Sequence, residues 1–314
     1  MISTNRYAPL YSIGLVLFAI AGLVYVIAAL SVDSLGELRL RQLAWWVFPA
    51  ITALHVLFLL LSAEVWRRVV RALTAVRTGF VQAYLQMAVI AVGKYVPGKI
   101  WGFVARAGQM VREQVALHKS IASGVVEQIL VLAGATIIAT GAGVIAFPEY
   151  GTLITVVGVA LLAGAVIATA NVPAVTRWIM RRRGQGDALD GVEDYHWIGV
   201  LRFSVAYAVL WLISGIILAI VYFALFDVAI TVERIAALIL ANTIGIVAGF
   251  FALFAPGGLG VREAVTTAVL TPFLPMREAL LAAVAFRAWL VLFDGINALL
   301  LIASEARRGA GKPE

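Results

Sequence analysis

The chain has 314 residues, of which 63% are hydrophobic and 13% charged, with a net charge of +7 and a mean hydropathy of +1.00. A soluble domain carries about 25% charged residues, so too few are present here to cover a water-facing surface. The absence of cysteine excludes disulfides, thiolate metal sites, iron–sulfur clusters and a thiol nucleophile.

These numbers point to an all-α polytopic membrane protein, a single integral domain over residues 1–314. Apolar runs of bilayer length, about 20 residues, predict six spans near 8–30, 43–62, 121–147, 151–172, 198–226 and 279–304. The first is read as a retained anchor: only Arg6 precedes it, and no small-x-small cleavage site follows. Two further stretches, 80–112 and 235–275, are apolar but interrupted by Pro-Gly and by charge.

Loop charge sets the expected orientation. Arg67, Arg68, Arg71 and Arg77 make one basic loop. Arg177, Arg181, Arg182 and Arg183 make another, and Arg307, Arg308 and Lys312 mark the tail. All three should face the cytoplasm, whereas Phe147 to Gly151 carries no basic residue and should face outward. Arg39 and Arg41 on an outward loop go mildly against this rule. Trp45, Trp46, Trp66, Trp178 and Trp197 fall near span ends, as an interfacial aromatic belt would place them. Both termini are then expected in the cytoplasm, at the cytoplasmic (inner) membrane. Each interrupted stretch must start and finish on one side, as a re-entrant hairpin or as a pair of full spans, giving eight or more in all. A Pro-Gly break beside charge favours the hairpin, because irregular backbone at membrane depth needs protein or water around it.

The two stretches resemble each other. The first contains Gly93-Lys94-Tyr95-Val96-Pro97-Gly98-Lys99-Ile100-Trp101-Gly102, and the second Pro256-Gly257-Gly258-Leu259-Gly260-Val261-Arg262-Glu263. A long apolar run follows each and opens on a charged residue 22 positions after its proline: Lys119 after Pro97, Glu278 after Pro256. Each run then carries one ionisable residue at a near-equivalent place, Glu127 and Arg287. Because the copies enter from opposite faces, the pattern predicts an inverted-topology repeat, 43–147 and 198–304, of the kind that puts a transport site near the midplane.

Eight charges fall at predicted membrane depth: Lys94, Lys99, Arg106, Arg262 and Arg287 against Glu127, Glu263 and Asp294. Each costs at least about 2.5–3.5 kcal/mol on insertion scales, which marks them as functional candidates. The cationic excess, with glycines that let a ligand approach, favours an anion such as a phosphate. Against this stands mutual pairing, Arg287 with Glu127 or with Asp294, and snorkelling of Lys94 and Arg112. Gln82 with Gln86, and Asn242 with Thr243, could line a polar path. No catalytic constellation, nucleotide loop or zinc spacing is found, so no cofactor or metal is expected and the chain is not read as an enzyme; a nucleic-acid partner would need a basic face that is missing.

At residues 93–102 and 256–263 the chain resembles the lysylphosphatidylglycerol synthase transmembrane-region, or flippase-like, family, which includes the flippase half of the multiple peptide resistance factor and many stand-alone members. The resemblance extends over nearly the whole chain, with Glu127 and Arg287 where the family usually has a Glu and an Arg. It implies movement of a lipid between leaflets, with both motifs lining the path. Without a soluble aminoacyl-transferase domain, the chain is expected not to make lysylphosphatidylglycerol. Stand-alone members are similar in outline to proteins thought to move polyprenyl-phosphate lipids, an analogy at the level of fold. The resulting expectation is a flippase for an anionic lipid, a phospholipid or a polyprenyl-phosphate-linked glycan carrier. Its headgroup would lie against Lys94, Lys99, Arg106 and Arg262. Pro97, Gly98, Pro256, Gly257, Gly258, Gly260 and Glu263 would shape the site, and Glu127 and Arg287 would gate it. The alternative is a scaffold or accessory subunit for envelope glycosyltransferases, in which the buried charges only pair with one another.

Overall fold

Backbone in hydrocarbon must satisfy its own hydrogen bonds, which leaves helices as the natural solution. The computed structural model describes residues 45–96, 100–182 and 197–310, and shows helix and no strand among them. The span expected over 8–30, the Pro97-Gly98-Lys99 triplet and most of the 174–197 loop lie outside the described residues.

Nine helices follow in order among the described residues: α1 (Val47–Thr74), α2 (Phe80–Gly93), α3 (Trp101–Arg112), α4 (Leu117–Ala146), α5 (Gly151–Arg182), α6 (Trp197–Leu225), α7 (Val232–Phe251), α8 (Val261–Leu270) and α9 (Met276–Ala310). Six stretches are long and apolar enough to cross a membrane: Val47–Thr74, Leu117–Ala146, Pro148–Ile179, Ile198–Leu225, Val232–Phe251 and Met276–Ser304. Five of them match expected spans. The sixth, α7, is the first arm of the second interrupted stretch. Its 20 residues reach about 30 Å at 1.5 Å per residue, the thickness of the hydrocarbon core. The arms α2, α3 and α8, with 14, 12 and 10 residues, are too short to cross.

Helix α1 runs farther than its apolar run predicts. Arg67, Arg68 and Arg71 stand on its last turns and not in a loop. Burial accounts for the extension, because Trp66, Val69 and Val70 on these turns are fully buried in a core with Met110 and Leu130. On the outer face Glu64 pairs with Arg67 Nε at 2.8 Å and Arg68 Nε at 2.7 Å. Helix α5 likewise continues through Pro173 to Arg182.

Burial separates centre from edge. Helix α6 is apolar on all sides, and 67% of its span is buried, as a central helix requires. Only 11% of the Pro148–Ile179 span is buried, which puts α5 at the lipid-facing periphery. One apolar core, built on Ile217, Leu218, Tyr222, Leu238 and Phe286, joins α6, α7 and α9. A second, around Trp66, Val69, Met110, Leu130 and Tyr207, joins α1, α3, α4 and α6.

The arms of each interrupted stretch meet on glycine. A Cβ on Gly93 would lie 2.3 Å from the Gly102 Cα, and one on Gly258 would lie 2.9 Å from the Gly249 Cα. In both stretches the touching glycines are nine positions apart, and the backbones come close only because no side chain intervenes. Gly93→Ala should therefore destabilise the protein by about 1–3 kcal/mol. Gly108→Ala, also helical but with nothing within 4 Å of its Cβ, should be neutral or slightly stabilising. Unfolding of both variants in detergent checks the contrast.

Candidate functional site

A helix broken by Pro-Gly leaves backbone groups without helical partners. The second break is built on left-handed backbone, with φ of 61° at Gly257, 75° at Gly258 and 79° at Gly260, a region open mainly to glycine. This turns the Gly257 peptide toward the first break. Its N–H donates to the Lys94 carbonyl at 2.8 Å, and its own carbonyl accepts from Arg287 Nη2 at 2.8 Å. The two interrupted stretches thus meet tip to tip, with an arginine of α9 closing the contact.

Side chains complete the junction. The Tyr95 ring packs on Gly257, where a Cβ would lie 2.3 Å from a ring carbon. The Arg287 guanidinium lies 5.7 Å from the centre of that ring. The Tyr95 hydroxyl donates to Asp294, and Lys94 Nζ lies 2.7 Å from the same carboxylate oxygen. Arg287 Nε stands 3.7 Å from Glu263 Oε1, an ion pair longer than a hydrogen bond. Among the described residues, both oxygens of Glu263 and the Nε and Nη1 of Arg287 are buried without a hydrogen-bond partner. Asn242, Arg262, Glu263, Thr266 and Arg287 help to enclose a cavity of about 10 Å³, room for about one water. Arg262 lays its aliphatic chain on Gly249, and its guanidinium forms no hydrogen bond or ion pair with the described residues. Lys94, Arg262 and Arg287 against Glu263 and Asp294 leave one positive charge in excess.

Arg106 and Glu127 belong to a separate cluster. Arg106 Nη2 is 2.5 Å from Glu127 Oε2, and both residues are buried. The guanidinium lies 3.9 Å from the Trp66 ring centre. Trp66 Nε1 donates to Gln86 at 2.7 Å, and Gln86 donates to Glu113 at 3.2 Å. Gln128 Nε2 and the Tyr207 hydroxyl donate to Glu127 at 3.2 and 3.4 Å.

Several expectations change. Neither proposed pairing of Arg287, with Glu127 or with Asp294, is formed; its partners are Glu263 and the Gly257 carbonyl. The reason is that α8 and the second tip lie against α9, whereas α3 lies against α4. Arg106 is not brought to Lys94 and Arg262, because Glu127 and Trp66 enclose it. Trp66 is fully buried and does not join the interfacial belt, for the same reason; Trp45, Trp46 and Trp178 are exposed, as is Arg112. Gln86 serves the Arg106 cluster, and Asn242 lines the cavity while donating to Ser214 at 3.1 Å. Thr243 turns back to the Ile239 carbonyl of its own helix, and Gln82 packs over Gly79. Pro256 opens the short turn before α8.

Tyr95, Trp66 and Tyr207 were missed as partners of the charges. Tyr95 carried a signal, since it stands inside the first Pro-Gly motif.

One regularity spans both clusters. In each stretch the short helix after the break forms an ion pair with the long helix that follows, with the signs exchanged: Arg106 on α3 with Glu127 on α4, Glu263 on α8 with Arg287 on α9. Lys119 and Glu278 are the third residues of α4 and α9.

Bilayer-length helices around two broken stretches, with ionised side chains paired in the interior, define a multi-pass helical membrane protein with a charged centre. The chain belongs to the Lysylphosphatidylglycerol synthase TM region family, which matches residues 11–296. The match agrees with the resemblance read from residues 93–102 and 256–263. No curated protein matches the chain.

Removing one partner of a buried ion pair strands the other charge, so Arg106→Met or Glu127→Leu alone should destabilise by about 3–5 kcal/mol. The double variant should regain most of that loss. A double-mutant cycle on unfolding in detergent measures it, and a double variant as unstable as the single ones would show that stranded charge is not the cause.

Proposed function

We propose that the chain carries an anionic lipid, a phospholipid or a polyprenyl-phosphate-linked glycan carrier, between the leaflets of the cytoplasmic membrane. The junction at which Gly257 meets Lys94 and Tyr95 is the observation that carries this reading. There three cations outnumber two acids, and among the described residues Arg287 Nε and Nη1 find no hydrogen-bond partner. A phosphate oxygen accepts hydrogen bonds from such donors in the geometry that arginine offers. Lys99 belongs to the same motif and would join Lys94 and Arg262 around the headgroup.

The repeat is part of the reading. Two interrupted stretches, each crossing on glycine and each giving an ion pair of exchanged sign, support two inverted copies over 43–147 and 198–304. In that arrangement the short arms are re-entrant and both termini lie in the cytoplasm. Transport would proceed without chemistry on the lipid, driven by a gradient or by consumption of the lipid downstream.

The scaffold reading has one observation in its favour: the cavity holds about one water and no headgroup. Native mass spectrometry of gently solubilised protein separates the two. Wild type should retain an anionic lipid, and Arg262→Ala should weaken that retention by about 10–100-fold, the value of a charge-assisted contact. The same loss should appear as slower flipping of a fluorescent anionic lipid in vesicles. An identical bulk lipid mixture on both proteins would favour the scaffold for envelope glycosyltransferases.

A further inference from the structure

Three carboxylates lie in the charged interior, and they are not provided for equally. Glu127 has Arg106 at 2.5 Å with Gln128 and Tyr207 beside it, and Asp294 has Lys94 at 2.7 Å and the Tyr95 hydroxyl. Glu263 has neither kind of support. It is 3% exposed, and among the described residues no hydrogen bond reaches either oxygen and the one cation in ion-pair range is Arg287, with Nε at 3.7 Å. The water-sized cavity touches it. The one guanidinium within ion-pair distance of it is thus loosely held, and it is the group that the proposed phosphate would engage.

We propose that Glu263 occupies Arg287 in the absence of lipid and takes up a proton when a lipid phosphate replaces it, so that anionic headgroup and proton enter the site together. This rests on the anionic-lipid reading above. The phosphodiester oxygens accept hydrogen bonds from Arg262 and Arg287. The displaced carboxylate, buried and without its counter-charge, accepts one proton from water and becomes a carboxylic acid, as burial favours the neutral form. One negative and one positive charge enter, so the site's net charge is unchanged; release reverses both steps. The charged and titratable groups around Glu263 are Arg262 on its own helix, Arg287 and Asp294 from α9, and Lys94 and Tyr95 from the first tip. From α7 the cavity receives only uncharged residues, Asn242 and Ile246.

Linkage fixes the sign. A ligand that brings a proton binds more tightly as pH falls, and the coupling is reciprocal. The test is isothermal titration calorimetry of the full chain in detergent with dihexanoyl phosphatidylglycerol, whose phosphodiester keeps one charge from pH 5 to 8. Each titration is run in two buffers of different protonation enthalpy, which counts protons directly. Wild type should take up close to one proton per lipid and gain up to about tenfold in affinity per pH unit on acidification. Glu263→Gln should bind with no proton uptake and no pH dependence. Wild-type binding without proton uptake, or undiminished uptake by Glu263→Gln, would overturn the proposal and leave lipid binding standing. No binding at any pH would overturn both. The wild-type proton count needs no variant, so a poorly folded Glu263→Gln does not spare the idea.

Discussion

Broken helices inside a membrane must find partners for the backbone groups that the break releases, and in this protein the two breaks serve each other. The Gly257 peptide is the meeting point. Its N–H goes to Lys94 of the first break, and its carbonyl goes to Arg287. Only a residue without a Cβ fits, because Tyr95 and Arg287 press on it from two sides and its φ is positive. The rest of the junction follows from this contact. With Tyr95 seated on Gly257, its hydroxyl reaches Asp294, and Asp294 in turn holds Lys94. A chain of four residues thus ties the first tip to α9, while Arg287 ties the second tip to the same helix.

Charge in the interior is tolerable because it is paired, but the two pairs differ in kind. Arg106 and Glu127 are close, stacked on Trp66 and supported by Gln128 and Tyr207. Such a pair has little left to offer a ligand, and it fixes α3 against α4. Glu263 and Arg287 join the short and long helices of the second stretch with the signs exchanged, yet they stand 3.7 Å apart, and among the described residues both Glu263 oxygens and Arg287 Nε and Nη1 find no hydrogen-bond partner. One pair is therefore close and holds α3 to α4, and the other is looser between α8 and α9.

The spans were legible because a membrane helix writes itself in composition: twenty apolar residues in a row have few other uses. Where helix length depended on side chains outside the apolar run, the sequence misled. The continuation of α1 to Thr74 rests on Trp66, Val69 and Val70, buried between arginines in a stretch whose hydropathy the arginines lower. The full length of α7 was obscured by Glu233 and Arg234 in its first turn, where Thr231 caps the helix by accepting from the Arg234 N–H. The charged residues of the site were legible, since lysine and arginine beside Pro-Gly at membrane depth stand out. Their partners were not. Similar spacing after the two Pro-Gly breaks suggested that Glu127 and Arg287 belong together, but spacing along a chain says nothing of adjacency. Each instead takes its partner from the short helix of its own stretch. Tyr95 and Trp66 escaped for a related reason: an aromatic residue in an apolar sequence reads as core or belt until a cation is found over its face.

The size of the cavity bears on how such a junction could work. Room for about one water cannot take a headgroup, so a lipid can enter only if the tips part. The bonds that must yield are unequal. Arg106 and Glu127 are both about 2% exposed, and opening them would leave two charges in an apolar interior. The Lys94–Asp294 pair is less enclosed, with the Lys94 side chain 32% exposed. Glu263 and Arg287 are already apart by more than a hydrogen bond. Motion is therefore directed to the tips and away from the α3–α4 pair. On the anionic-lipid proposal, the Gly257 contact, one backbone bond at each face of its peptide, is also the least costly place to open, because an arriving phosphate would supply new acceptors for the donors released.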